Sequence, residues 1–256
     1  MNISHDTGTL ALALARPLGM TLLFPLLQPS VLGGALIRNG VLLAFMLPAL
    51  PLVAAVMPAY PDWTWVPLIP GELLAGILLG FCAAVPFWAV DMAGFLIDTL
   101  RGATLGVIFN PSLTSQTSLL GLLFSQVLCV LFFAGEGMHF LLTALYRSLR
   151  DLPPGSVWLA GHHIPDFLRT EWDLLWQLCM AFSLPVVLSM VLIDLAMGLI
   201  NRSAQQLHVF SLAMPVKSAV ALFLLILILP HAFQACLHQR SGGALQNVLS
   251  VYDRKD

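Results

Sequence analysis

Eighteen residues separate Glu72 from Asp91 without one charge among them, and Asp91, Asp98 and Arg101 then follow within eleven positions that are otherwise apolar or small. An uncharged run of that length approaches the roughly 20 residues that carry a helix across a hydrocarbon core. In a helix Asp91 and Asp98 are about two turns apart and share a face, and Arg101 at i+3 reaches the Asp98 carboxylate. An Asp98–Arg101 ion pair is the expectation. A carboxylate at bilayer depth costs about 2.5 to 3.5 kcal/mol on insertion scales, so this face must meet protein or water. Gly76 and Gly80 form a small-xxx-small pair that lets another backbone come close, and Gly94, Gly102 and Gly106 continue the punctuation. The segment reads as an element for other helices to pack around.

The rest of the chain fits a membrane. Of 256 residues, 59% are hydrophobic and 9% charged, with mean hydropathy +0.90, whereas soluble domains carry about 25% charge. The fold class predicted is all-α, an integral membrane protein. Net charge −2 with two lysines, Lys217 and Lys255, offers no basic surface, so nucleic acid is not a partner. Cys82, Cys129, Cys179 and Cys236 each stand alone in apolar sequence, with neither paired nor metal-ligand spacing, and read as small buried hydrophobes. Met1–Ala15 holds no Lys or Arg, so a cleavable leader is not expected and the first apolar segment is retained.

Six stretches lack Asp, Glu, Lys and Arg: Pro17–Ile37, Asn39–Pro61, Leu73–Val90, Gly102–Gly135, Leu174–Ile193 and Ser218–Gln239. Hydropathy alone would make them about six spans. Pro25, Pro29, Pro48, Pro51, Pro58, Pro86 and Pro185 fall in or beside them, so bent, proline-broken hairpins packed on protein are an equal expectation. Pro58–Gly71, with Trp63 and Trp65, reads as an interfacial connection. Asn110-Pro111-Ser112 and the polar run to Ser118 interrupt the fourth stretch, with a helix restarting near Ser118. The expected organisation is one membrane-embedded helical domain over 1–256: a first half 1–151, a Pro- and Gly-rich, water-exposed loop 152–167 with His162 and His163, a second half 168–239 and a polar tail 240–256. Leu96-Ile97-Asp98 is echoed by Leu192-Ile193-Asp194, which leaves open either a duplicated hairpin or coincidence. Lys and Arg are too sparse to orient the chain.

Enzymatic chemistry finds little support. Asp98 and Asp194 lack the Gly-x-Gly-Asp setting of an intramembrane aspartyl protease, and Arg101 would hold Asp98 ionised where a shared proton is needed. Glu136-Gly-Met-His139 has Glu-x-x-His spacing but no second such pair, His162-His163 lies in a loop, and no Gly-rich phosphate loop precedes a helix. No catalytic residue, metal or cofactor is assigned. The remaining polar concentration is Asp194–Lys217, containing Arg202, Gln205, Gln206 and His208; it is either an interhelical loop or a functional surface.

In order along the chain, Glu72-xxx-Gly76-xxx-Gly80, Gly94-xxx-Asp98-xx-Arg101-Gly102-Ala103, Ser183-Leu184-Pro185, Asp194-xxx-Gly198, and Phe210 with Pro215-Val216-Lys217 resemble the SctT/FliR family of type III secretion export gates. The resemblance covers nearly the whole chain. Arg101-Gly102-Ala103 is more similar to the injectisome branch than to flagellar FliR. Where the family often has Pro-Gln-x-Asn, this chain has Gln205-Gln206-Leu207-His208, so only Gln206 matches and contacts by Gln205 and His208 are in doubt.

The resemblance implies a non-enzymatic, multi-pass subunit of the bacterial inner membrane, built of bent helical hairpins and assembled with R-type and S-type subunits into a pore-forming gate. It also implies the U-type switch protein and the large export gate subunit as neighbours, secreted proteins as passengers, and energy supplied by an ATPase complex and the proton gradient. Helix packing or gate contacts would then fall to Glu72, Gly76, Gly80, Asp91, Gly94, Asp98, Arg101, Gly102, Asp194, Gly198, Arg202, Gln206 and Lys217. The alternative is a stand-alone transporter with Asp91 and Asp98 as a proton or cation site.

Overall fold

The computed structural model describes residues 3–56, 62–103, 118–155, 163–203 and 212–227, and among them there is no strand. Helix α1 (Ile3–Leu23) ends where prolines restrict their predecessors. Phe24 and Gln28 are both extended, the conformation forced on a residue before proline, and each opens a short helical piece: a 3-10 turn Pro25–Leu27 and α2 (Pro29–Leu32). Gly33 at φ 78° and Gly34 at φ 141° then turn the chain into α3 (Ala35–Ala54). The stretch Pro17–Ile37 is therefore divided and is not one span.

The expected connection Pro58–Gly71 is shorter than its composition suggests. Asp62–Leu68 is a 3-10 helix and α4 (Ile69–Leu100) starts directly after it. Pro70 occupies the first turn, where the missing N–H has no intrahelical partner to lose. Residues 57–61 lie outside the described set.

After residues 104–117, also outside it, α5 (Leu119–Ala134) begins one residue past Ser118, as the sequence indicates. A sharp bend of 72° leads into α6 (Gly137–Asp151). The loop predicted over 152–167 ends early, because α7 (His163–Ser203) already includes His163–Phe167, with Pro165 in its opening turn. Its stretch 156–162, with His162, is not among the described residues. A further apolar helix, α8, spans Leu212–Leu227, and residues 228–256, with the tail from Arg240, fall outside the described set.

Pro17, Pro48, Pro51, Pro86 and Pro185 all sit inside helices. Breaks fall instead where residues before proline are held extended or glycines turn the chain, since the hydrogen bond a proline removes inside a packed membrane helix is tolerated. Among the described residues, Ala35–Ala54, Thr64–Leu100 and Ile164–Ser203 are long and apolar enough to cross a membrane, and the bent pair α5–α6 could make a fourth span. Among the described residues the six apolar stretches thus yield three or four candidate spans, with Gly102–Gly135 and Ser218–Gln239 described only in part. Helix α6 is amphipathic: Leu141, Leu145, Ser148 and Leu149 are buried at i, i+4, i+7 and i+8, while Arg147 and Arg150 are exposed.

The chain forms two compact units. The first gathers Met1–Val85 and Leu131–Glu171. Its core holds Leu12 and Ala13 of α1, Met46, Ala49 and Val53 of α3, Trp65, and Leu149 of α6, with the Phe24 and Phe132 rings 5.6 Å apart. Lipid tails are as apolar as these side chains, so helix association here rests on close packing and polar contacts more than on leaving water. Gly76 and Gly80 supply that closeness: a Cβ at Gly76 would fall on the Arg16 backbone and one at Gly80 on that of Met20. Arg16 with Gly76 and Met20 with Gly80 advance together, so α1 and α4 run parallel through the contact. Gly76→Leu is therefore expected to push α1 off α4 and to lower the yield of folded, monodisperse protein in detergent more than tenfold, because the obstruction is backbone and cannot swing aside. A yield within twofold of wild type would show that the crossing is looser than described.

The second unit gathers Pro86–Val130 and Trp172–Arg240. Ile97, Phe124, Leu128, Phe182, Val186 and Met190 are buried, with Phe124 and Phe182 at 6.5 Å between ring centroids. Gly94 faces the backbone of Leu120 and Gly121, the same close-approach device used once more.

Candidate functional site

Among the described residues, each unit contains a network of charged side chains. In the first, Arg16 of α1 is wholly buried and Glu72 of α4 nearly so. Arg16 Nε lies 2.6 Å from Glu72 Oε2 as an ion pair, and Nη2 donates to Oε1 at 3.2 Å, a charge-assisted hydrogen bond between guanidinium and carboxylate. Nη1 donates to Ser148 Oγ at 3.2 Å, and Nη2 also donates to the Leu152 carbonyl just past the end of α6. One arginine thereby ties α1, α4 and α6 together. Glu72, Gly76 and Gly80 are spaced at i, i+4 and i+8, so the face that carries the carboxylate also carries the two glycines that admit α1.

The second network closes the end of α4 and opens α5. Asp98 Oδ1 lies 2.8 Å from Arg101 Nη2. Its Oδ2 accepts from Ser118 Oγ at 2.8 Å and from the Leu120 N–H at 3.0 Å, while Ser118 Oγ accepts from the Gly121 N–H at 2.8 Å. Ser118 is thus the N-cap of α5, and Asp98 supplies a second acceptor and a negative charge to the same helix start. Gly102, at φ 84°, stops α4: the Ala103 N–H bonds the Asp98 carbonyl at 3.0 Å and the Gly102 N–H bonds the Thr99 carbonyl at 3.1 Å, a Schellman arrangement that favours glycine. Lys217 of α8 donates to the Leu100 carbonyl at 3.3 Å and lies 2.5 Å from Asp194 Oδ1 of α7. A cation at a helix C-terminus is favourable, so Lys217 both caps α4 and links it to α7 and α8.

Matching against protein families places residues 7–241 in the family described as bacterial export proteins, family 1. The chain belongs to that family. It is 53% identical over 226 residues to the secretion system apparatus protein SsaT of Salmonella typhimurium, covering 87% of each chain. With the Yop proteins translocation protein T of Yersinia pestis it shares 37% over 241 residues, 92% of each chain. The flagellar biosynthetic protein FliR of Bacillus subtilis is more distant, at 27% over 164 residues and 63% of each chain. The resemblance to the SctT/FliR family and the preference for its injectisome branch both stand.

The bacterial export protein fold brings the expected residues together unevenly. Asp98 and Arg101 pair as their spacing indicates. Glu72, Gly76 and Gly80 share the α1 contact, and Gly94 packs on α5. Asp194 and Lys217 pair across helices. The two Leu-Ile-Asp strings differ in setting, with Asp98 buried at the end of α4 and Asp194 exposed within α7. Gly198 has open space around it and Arg202 is exposed. Asp91 is exposed on α4, one carboxylate oxygen leaning toward Gly121. Gln206, Gln205, His208 and Phe210 lie outside the described residues. Cys82 and Cys129 are half-buried and Cys179 is buried; Cys236 falls outside the described residues.

Arg16 and Ser148 were not singled out in the sequence as site residues, and Ser118 only as the place where a helix restarts. Arg16 did carry a signal: it is the only Asp, Glu, Lys or Arg between Asp6 and Arg38, and a lone ionisable residue in apolar sequence demands a partner.

Proposed function

We propose that this bacterial export protein is a structural, pore-forming subunit of a type III secretion export gate. It is a multi-pass protein of the bacterial inner membrane that assembles with R-type and S-type subunits, beside the U-type switch protein and the large export gate subunit, around secreted proteins in transit. The observation that carries this reading is how Asp98 is used. Oδ1 is ion-paired with Arg101 and Oδ2 accepts from Ser118 and the start of α5, so the carboxylate is tied to a helix junction, which fits a packing role better than a transport site. Lys217 likewise holds the end of α4 and pairs with Asp194 of α7. The charges therefore serve packing and do not converge on a midplane site of the transporter kind. Kinship with a secretion apparatus protein and a translocation protein supports the same reading.

The outer faces support a heteromeric setting. Residues 191–203 of α7 are exposed almost all round, with Leu192, Leu195, Leu199 and Ile200 among them, and Gly198 offers a flat place for another helix. Deleting the chain from its host should abolish secretion of every substrate of the system while small-solute uptake is unchanged, and the tagged protein should co-purify with R-type and S-type subunits. Saturable solute flux through liposomes holding this chain alone would favour the transporter with Asp91 and Asp98.

A further inference from the structure

Helix α4 leaves one stripe uncovered in its second half: Asp91, Met92, Phe95 and Thr99 are exposed at i, i+1, i+4 and i+8. Thr99 satisfies its own hydroxyl on the Phe95 carbonyl at 2.8 Å, and Met92 and Phe95 would be content in lipid. Asp91 would not. No hydrogen bond or ion pair reaches it among the described residues. The first-turn N–H groups of α5 nearest to it are already taken, Leu120 by Asp98 and Gly121 by Ser118. It follows directly on the uncharged run 73–90 and shares its exposed face with Met92 and Phe95.

An ionisable residue beside an apolar membrane-helix surface faces a partner or water, never the hydrocarbon. A partner cation for it would come from outside the described residues, and the described helices of a second copy are poorly equipped to bring one. The basic residues not already held in an ion pair on described helices, Arg38, Arg147, Arg150, Arg169 and Arg202, all lie within six residues of a helix end, about 9 Å at most. We propose that the Asp91–Met92–Phe95–Thr99 stripe docks a membrane helix of an unlike chain, one that places a lysine or arginine against Asp91 and apolar side chains against Met92 and Phe95. Charge complementarity fixes the register, and the apolar stripe supplies the area. The inference rests on the gate reading above, since it needs an unlike membrane partner.

Two measurements in the host membrane, with the export machinery intact, decide it. A photo-crosslinking amino acid at Phe95, which leaves Asp91 in place, should form an adduct with an unlike membrane protein, and mass spectrometry should map the bond to a helix carrying a lysine or arginine. Asp91→Lys should cut the co-purified assembly about tenfold or more, because two like charges then face each other, and an Asp in place of the mapped basic residue should restore it. Adducts only with lipid, with a second copy, with this chain's own segments or with a helix lacking a basic residue would overturn the proposal. So would Asp91→Lys assembling at the wild-type level, or a failure of the reciprocal swap to rescue. The gate reading has its own readout: if the wild-type chain still co-purifies with R-type and S-type subunits, it survives the loss of the Asp91 contact.

Discussion

Arg16→Ala is expected to destabilise the first unit by about 3 to 5 kcal/mol, the usual cost of removing one member of a buried ion pair and stranding the other. Glu72→Ala should cost as much, since it leaves a guanidinium buried without its carboxylate. Arg16 is 0% exposed and Glu72 2%, so neither survivor can turn to water. The double substitution Arg16→Met/Glu72→Leu removes both charges while keeping volume. It should regain most of the loss, because a well-packed apolar pair often matches or exceeds a buried salt bridge. Recovery will be incomplete, as Ser148 Oγ and the Leu152 carbonyl lose their donor. Denaturation in mild detergent, read by loss of helicity, measures all three variants. If Arg16→Ala unfolds with the wild type, the cluster is not what joins α1, α4 and α6.

The same cluster shows where sequence reading stops. Asp98 and Arg101 are three residues apart on one helix, so their pairing follows from helix geometry alone. Arg16 and Glu72 are 56 positions apart, and no local rule joins them. Gly76 and Gly80 announced that something approaches closely, but small-xxx-small spacing does not say which helix arrives. The structure answers that it is α1, at the turn that also delivers Arg16.

Proline misled in a consistent way. Seven prolines suggested breaks throughout, yet Pro48, Pro51, Pro86 and Pro185 lie within helices. The real breaks use more than one constraint. At residues 24–34 two prolines each hold their predecessor extended and two glycines adopt positive φ; near Gly135 the chain bends without any proline. A rule that counts single prolines cannot separate these cases, because in a membrane helix the neighbours decide whether the lost hydrogen bond matters. The all-helical class and the membrane setting were legible because they rest on composition and run length, which no tertiary contact overrides.

Asp98→Ala is the other substitution with a large expected effect. The carboxylate joins three partners: the Arg101 guanidinium, the Ser118 hydroxyl and the Leu120 N–H. Removing it strands a largely buried Arg101 and takes an acceptor and a negative charge from the start of α5. A cost of about 3 kcal/mol or more follows from the broken pair and the unmet donor together. Most of that loss should appear at one place. Ser118 still caps the Gly121 N–H, so α5 should not melt as a whole, but amide exchange at Leu120 should accelerate about a hundredfold, the factor that nearly 3 kcal/mol of local opening corresponds to. Asp98→Asn should fall between, because its amide oxygen can accept from Leu120 while its neutral head no longer holds Arg101. Hydrogen exchange followed by mass spectrometry on the segment from Ser118 to Phe124 separates the three proteins. An exchange rate at Leu120 unchanged in Asp98→Ala would mean that the carboxylate serves Arg101 alone. The order wild type, Asn, Ala would place it as the residue that closes one helix and starts the next, which explains why the Asp98-xx-Arg101-Gly102 string combines an acid, a base and a glycine within five positions.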